Sequence, residues 1–431
     1  MPNPTLPPMS GSPSHHYLVA LADGGGTVPV ELGVVRRLVE RGHRVTALVD
    51  ESMAAPSRAT GAAVHPWSAR PGTEFRDWAI RNPLELAKSM SEHYLSGPAA
   101  GHAADTRAAI DAARPDLVVT TFFTLGAMIA AEAHEVPFDV LMPNVYIAPV
   151  PGRPPGGAGM RPMRGPLGAM RDRMASAATT RLLDRYTVDP LNAVRARHGL
   201  DRIGHVWDQV HRARRELVLT TAEFEFGGDF PPNVRFVGPV LDDPAWAALV
   251  QFDPPAGDAP LVLVSLSSTF QNHADCLQRI ADALGMLPVR GVITTGPSIP
   301  PELIEAPGNA VVVASAPHRV AMRHASLVVT HGGHGTVMKA LAAGLPLVVL
   351  HHGRDQADNA ARVVTRGAGV AVPRRAPADE IAAAIERVLR HERYRAAAVR
   401  LGAAINRDVA ANTLLDELEQ LAPLTTPPRS P

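Results

Sequence analysis

The chain has 431 residues, 42 basic and 42 acidic side chains and a formal net charge of zero. It is too long for one ordinary core and is read as two domains, and its neutral balance gives no field that would attract nucleic acid or an anionic membrane. One cysteine, Cys276, excludes an internal disulfide framework and fits a reducing compartment.

Residues 1–16 (MPNPTLPPMSGSPSHH) lack a basic n-region and an apolar h-region, so they read as a disordered tail rather than a signal peptide. No uninterrupted apolar stretch reaches about 18 residues, so no transmembrane span is expected. The location expected on these grounds is the cytoplasm. Tyr17 to Ala22 is a short apolar run closed by Asp23-Gly24-Gly25-Gly26-Thr27. Helical spacing follows at Val30, Val34, Val35, Leu38 and Val39, ending at Arg41-Gly42-His43, with a further strand at Val45 to Val49. Such a strand–loop–helix–strand unit begins a parallel sheet. It lacks a dinucleotide fingerprint, because Pro29 stands where the third glycine would be.

The alternation continues with a helix over 51–60 and a short strand over 62–67. Residues 70–113 read as mostly helix and loop. Then come a strand at Leu117 to Thr120, a helix at Leu125 to Ala133 and a strand at Phe138 to Met142. Pro149 to Pro166 is a Pro/Gly/Arg-rich loop, far longer than usual in α/β units and therefore functional or disordered. A helix over 167–198 and strands at Glu216 to Thr220 and Pro231 to Pro239 complete a domain at 17–240. Residues 241–258, broken by Pro244, Pro254, Pro255 and Gly257, read as the linker. The pattern then restarts over 259–421. There are strands at Leu261 to Ser265, Arg290 to Thr294, Ala310 to Ala314, Ser326 to Thr330 and Leu345 to Leu350. Helices are read at Ala274 to Leu284, Arg319 to Arg323, Ala378 to Leu389 and within Ala396 to Leu421, before a Pro-rich tail at 422–431.

The run His331-Gly332-Gly333-His334-Gly335-Thr336 stands between the end of a strand and the start of a helix. Amide groups there lack intrahelical partners, the helix dipole favours negative charge, and glycines admit a ligand to the backbone. The physics points to an anion, most simply a phosphate. The next strand ends in His351-His352-Gly353-Arg354-Asp355-Gln356, whose Asp and Gln suit sugar hydroxyls. The histidines lack an i, i+4 pair or a neighbouring cysteine, so no metal site is expected.

These residues, with Gly344-Leu345-Pro346, Asn359-Ala360, Ala316-Pro317-His318 and Val237-Gly238-Pro239, resemble the donor-binding signature of family 1 glycosyltransferases. The subgroup is bacterial enzymes that act on macrolides and aromatic polyketides. The resemblance implies a GT-B fold, α/β with two Rossmann-like domains facing a cleft. It implies a UDP- or dTDP-sugar donor, a hydrophobic acceptor and no metal or other cofactor; a homodimer is left open. Carried over by position, His331 and the backbone around Gly333, Gly335 and Thr336 hold the diphosphate, His334 belongs to the donor-binding set, and Asp355 and Gln356 hold the sugar. Ser267, Ser268 and Thr269 close over the diphosphate, and His318 flanks the base.

Two departures matter. The family's catalytic histidine falls on Thr27 and its aspartate partner on Thr121, and a threonine hydroxyl is no general base at neutral pH. Three explanations stand side by side: Asp23 takes the base role, the acceptor needs little deprotonation (an acidic phenol or an activated ring carbon, giving C-glycosylation), or the chain is a non-catalytic auxiliary. A nucleotide-sugar epimerase of the same fold is a further alternative. Lys339 stands where many uridine-using relatives carry a glutamate for the ribose, which leaves room for a thymidine donor. Ser315 stands near the place of the family's base-stacking tryptophan.

Overall fold

The computed structural model describes residues 14–68, 75–244 and 253–421. Most of the expected amino-terminal tail, the centre of the linker and the carboxyl-terminal tail lie outside the described residues, as do residues 69–74.

Two wholly parallel sheets form the molecule. The first runs β3-β2-β1-β4-β5-β6-β7. Its strands are β1 (His16–Ala20), β2 (Arg44–Val49), β3 (Ala63–Pro66), β4 (Leu117–Thr121), β5 (Phe138–Met142), β6 (Arg215–Val218) and β7 (Val234–Phe236). The second runs β10-β9-β8-β11-β12-β13. It consists of β8 (Leu261–Ser265), β9 (Arg290–Thr294), β10 (Ala310–Val313), β11 (Leu327–Thr330), β12 (Leu347–Val349) and β13 (Gly369–Ala371). Central strands β1, β4, β5, β8 and β11 are buried at every residue, as expected where helices cover both faces of a parallel sheet. In each sheet the strand order reverses beside its first strand, between β1 and β4 and between β8 and β11. Ligands of open α/β sheets bind at such reversals, outside the carboxyl ends of the strands.

Most elements stand within a residue or two of where periodicity placed them. The strand expected over Pro231 to Pro239 shrinks to Val234–Phe236, because prolines donate no ladder hydrogen bond. Two short elements carry no readable pattern: β13, an edge strand of three residues, and the helix Val206–Val210, held by a reciprocal His205–Asp208 cap.

Two larger differences concern how the halves join. The Pro/Gly/Arg loop is an ordered strap. Arg153 is buried and pairs with Glu225 at 3.2 Å, while the amides of Gly157 and Gly159 donate to the Asp358 carboxylate at 2.5 and 2.7 Å. The strap is thus tied to the second half by charge-assisted hydrogen bonds. The last helix, Thr413–Glu419, was assigned by sequence to the second domain. Its Leu414, Leu415 and Leu418 lie instead in the core built on Tyr17, Val19 and Leu38 of the first. Arg41 and His43 reach Glu419 at 2.8 and 3.0 Å and lock it there. An amphipathic helix reveals which face is buried but not against which sheet.

Leu418→Ala therefore removes a side chain from the core of the first domain. Denaturant unfolding is expected to show a loss of about 2–5 kcal/mol. An unchanged midpoint would contradict this packing.

Candidate active site

The loops at the two reversals face each other across a cleft of about 630 Å³. From the first domain come the loop after β1, with Gly24, Gly26 and Thr27, and the residues after β4, Phe122 and Phe123. From the second come Ser267 to Thr269 after β8 and His331 to Thr336 after β11, with His318, Asp355 and Gln356. All eleven expected donor residues line this cleft. The opposed loops are close enough that a Cβ on Gly25, whose φ is +74°, would lie 2.6 Å from a Thr269 methyl.

The cradle is built as its residue types require. The helix His334–Ala342 begins after Gly333 with no side chain capping its amino end, so its first amides are free for an anion. Gly335 has open space where a Cβ would stand, leaving its backbone approachable. A Cβ on Gly333 would come within 2.6 Å of His331 Nε2 and 2.8 Å of its Cε1, so that edge of the ring sits against the glycine. His331 is 9% exposed, and burial pushes its imidazole down to about 3, so it is neutral at physiological pH and able to donate one hydrogen bond.

The other expected residues divide by what already holds them. Ser267 Oγ and Thr269 Oγ1 are 3.1 Å apart and brace the loop after β8. Ser268 follows within that loop. Asp355 Oδ2 accepts from Asn359 at 2.9 Å, and burial raises the carboxyl above its ordinary range. Gln356 Oε1 accepts from the amides of His352 and Gly353 at 2.7 and 3.1 Å, shaping the turn beside the sugar position. His334 donates from Nε2 to the Leu219 carbonyl at 3.0 Å, a bond from the second half to the first. His318 Nε2 meets Ser265 Oγ at 2.9 Å, and burial, reinforced by Lys339, lowers it to about 4. Lys339 pairs with Asp243 at 2.8 Å, so an acidic oxygen stands near the expected ribose position after all, supplied by the join between domains.

The proposed dyad positions separate. Thr27 lines the cleft, but Thr121 is wholly buried and does not line it, its hydroxyl without a partner among the described residues. Asp23 does not line the cleft: its oxygens accept from the Gly25 amide at 2.9 Å and from Ser52 at 2.6 Å. Its carboxylate thereby shapes the glycine turn.

Sequence reasoning missed several cleft residues. Arg354, at φ +57°, crosses the cleft to Asp77 at 2.8 Å, and Gln271 meets Gln356 at 2.9 Å. Phe75, Trp78 and Tyr94 join Phe122 and Phe123 in an aromatic wall on the first domain, with Trp78 edge-on to Phe270. Nothing local in the sequence marks Arg354 or Gln271, and Phe75, Trp78 and Tyr94 come from the 70–113 stretch, where aromatic character is the signal available.

Two Rossmann-like halves facing across a cleft, an uncapped helix amino end on one and an aromatic wall on the other, match the GT-B class of group transferases. Residues 100–414 match the family described as "UDP-glucoronosyl and UDP-glucosyl transferase". The chain is 30% identical over 401 residues to 4'-demethylrebeccamycin synthase of Lentzea aerocolonigenes, covering 89% of this chain and 94% of that one. Among solved structures it is similar to the kitacinnamycin glycotransferase, with a TM-score of 0.76, 22% identity and coverage of 96% and 100%. It is also similar to CalG4, the calicheamicin glycosyltransferase, with a TM-score of 0.71, 25% identity and coverage of 95% and 98%. The chain belongs to this family: it is a family 1 glycosyltransferase. Among the described residues no helix is long and apolar enough to cross a membrane.

The buried histidines set an acid limit on stability. His102, His273, His318 and His352 are lowered to about 4 and His331 to about 3, in each case chiefly by burial. Their unfolded forms take up protons near pH 6.5, so the stability they contribute is present above that pH and falls as pH drops toward the folded values. Thermal melting from pH about 8 to about 5 should show Tm falling below pH about 6.5. A flat profile would contradict the neutral buried state.

Proposed function

We propose that the chain is an inverting transferase that moves a hexose or deoxyhexose from a nucleoside diphosphate sugar to a hydroxyl of an apolar small molecule of the natural-product type. The observation that carries this reading is the pairing of walls. The cradle of His331, Gly335 and the helix amino end suits a diphosphate leaving group, and the aromatic wall opposite suits a flat, apolar acceptor. The acceptor oxygen bonds to the anomeric carbon as the bond to the diphosphate breaks and its electron pair leaves on phosphate. One in-line displacement between groups on opposite walls inverts the anomeric centre. Chemistry of this kind needs no resident metal, because helix amides and a histidine N–H meet the developing charge.

The synthase of Lentzea aerocolonigenes supports an acceptor of natural-product size, since its alignment runs through both halves of this chain. Lysine offers no acceptor to a ribose 2′-hydroxyl, but its partner Asp243 brings a carboxylate to the same place, so the reading covers thymidine and uridine diphosphate sugars alike.

Calorimetry with dTDP- and UDP-sugars, followed by a mass-shift assay against a panel of aromatic acceptors, tests the reading. Binding of at least one donor and a gain of one sugar mass on an acceptor are expected. Turnover of a donor alone would favour an epimerase, and binding without turnover an auxiliary. Gly333→Ala, which pushes into His331, should weaken nucleotide diphosphate binding by about tenfold or more, roughly 1.4 kcal/mol. Unchanged affinity would remove His331 and Gly333 from the cradle.

A further inference from the structure

Among the described residues the cleft has no free carboxylate. Its carboxylates are all engaged: Asp77 with Arg354, Asp242 with Arg36 and Arg37, and Asp243 with Lys339. Asp355 is held by Asn359, and Asp358 by the strap amides. At the start of the helix Val28–Glu40 the situation differs. Thr27 lines the cleft, yet its Oγ1 is buried and makes no hydrogen bond among the described residues. Four residues on, and therefore on the same face of the first helical turn, Glu31 is wholly buried with both carboxyl oxygens likewise unpartnered. The Thr27 hydroxyl lies close enough to favour an ionised Glu31, though it is not aligned for a hydrogen bond.

We propose that Thr27 and Glu31 form the proton path of the transfer: the acceptor hydroxyl gives its proton to Thr27 Oγ1 as its oxygen bonds to the anomeric carbon, and Thr27 passes its own proton to the Glu31 carboxylate. The electron pair of the broken bond leaves on the diphosphate, so charge and protons balance. This rests on the transferase reading above. Thr27, whose Oγ1 turns from its buried position into the cleft to meet the acceptor, is the catalytic residue in this path; Glu31 acts through it.

Three features support the path. An unpaired carboxyl inside a helix–sheet core costs stability and adds nothing to packing that an apolar side chain would not. Its surroundings suit proton acceptance near neutral pH: burial, the largest influence, raises Glu31 to about 8, with Thr27 opposing. The charged groups acting on it are Asp23, in the loop after β1, and Asp50, after β2, both of which raise it further. The path also explains how Thr27 can replace a base without being one, because a hydroxyl relays a proton that a carboxylate behind it accepts.

The test compares the wild-type chain with Glu31→Gln, Thr27→Val and Thr27→Ser, using dTDP-glucose and UDP-glucose with 2-naphthol and the less acidic 2-naphthalenemethanol. Glu31→Gln and Thr27→Val should lower kcat on the alcohol by about a hundredfold or more, with donor affinity unchanged, whereas Thr27→Ser stays near wild type. The naphthol, which parts with its proton more readily, should lose less. In the wild type, kcat should rise with pH through about 8, and Glu31→Gln should abolish that rise. Infrared spectroscopy supplies a readout without substrate: a protonated carboxyl band disappears as pH passes about 8, and Glu31→Gln lacks it. Wild-type kcat and pH profile in Glu31→Gln, or a carboxyl band that vanishes in the ordinary carboxylate range, overturns the path alone. Failure of the wild type to transfer with any donor overturns the transferase reading, and the path with it.

Discussion

Parallel strands can be joined only by connections that return across a sheet face, so all strands of a sheet end at the same edge. In this chain that constraint operates twice, and the two edges are turned toward each other. Every group assigned to donor or acceptor follows from it: the connections after β1, β3 and β4 on one side, and those after β8, β10, β11 and β12 on the other. The anion cradle needs nothing exotic beyond this arrangement. It is the amino end of a helix placed at a strand reversal, with glycines that let a ligand approach and a neutral histidine alongside.

Holding the edges at a working distance is a separate task, and the structure divides it between buried and exposed contacts. Deep in the join, Glu225 receives Arg153 from its own half and Arg362 from the other, with the Tyr146 amide at 2.8 Å, and none of the three side chains is appreciably exposed. Removing one member of such a buried network leaves an uncompensated charge, so it behaves as a fixed pivot. Nearer the mouth, the Arg354–Asp77 pair is partly exposed. It ties the second half to the first across the mouth of the cleft, so widening the cleft breaks it. A buried pivot and a breakable tie at the rim suit a cleft that closes and reopens around its substrates.

Much of this was legible in the sequence because the signals were local. Buried parallel strands read as apolar runs, and His331 to Thr336 announced a strand end, a glycine turn and a helix start in six consecutive residues. What escaped was contact between distant segments. The leucines of Thr413–Glu419 gave no sign that they would cross back to the first sheet. The Pro/Gly/Arg loop read as irregular because its order comes from Asp358 and Glu225, far away in the chain. Asp23 looked like the natural substitute for a missing base, being a carboxylate in the right loop. Its engagement with Ser52 and the Gly25 amide depends on how β1 and β2 lie side by side. Lys339 read as the loss of a ribose acceptor, whereas its partner Asp243 restores an acidic oxygen from another segment.

The proposed transfer depends on where the diphosphate binds, and a crystal structure with thymidine diphosphate locates it. Its phosphates are expected at the amino end of the helix His334–Ala342, within hydrogen-bond reach of His331 and the amides of Gly335 and Thr336, with its sugar near Asp243. Phosphates bound instead at the glycine loop after β1, or outside the cleft, would contradict it.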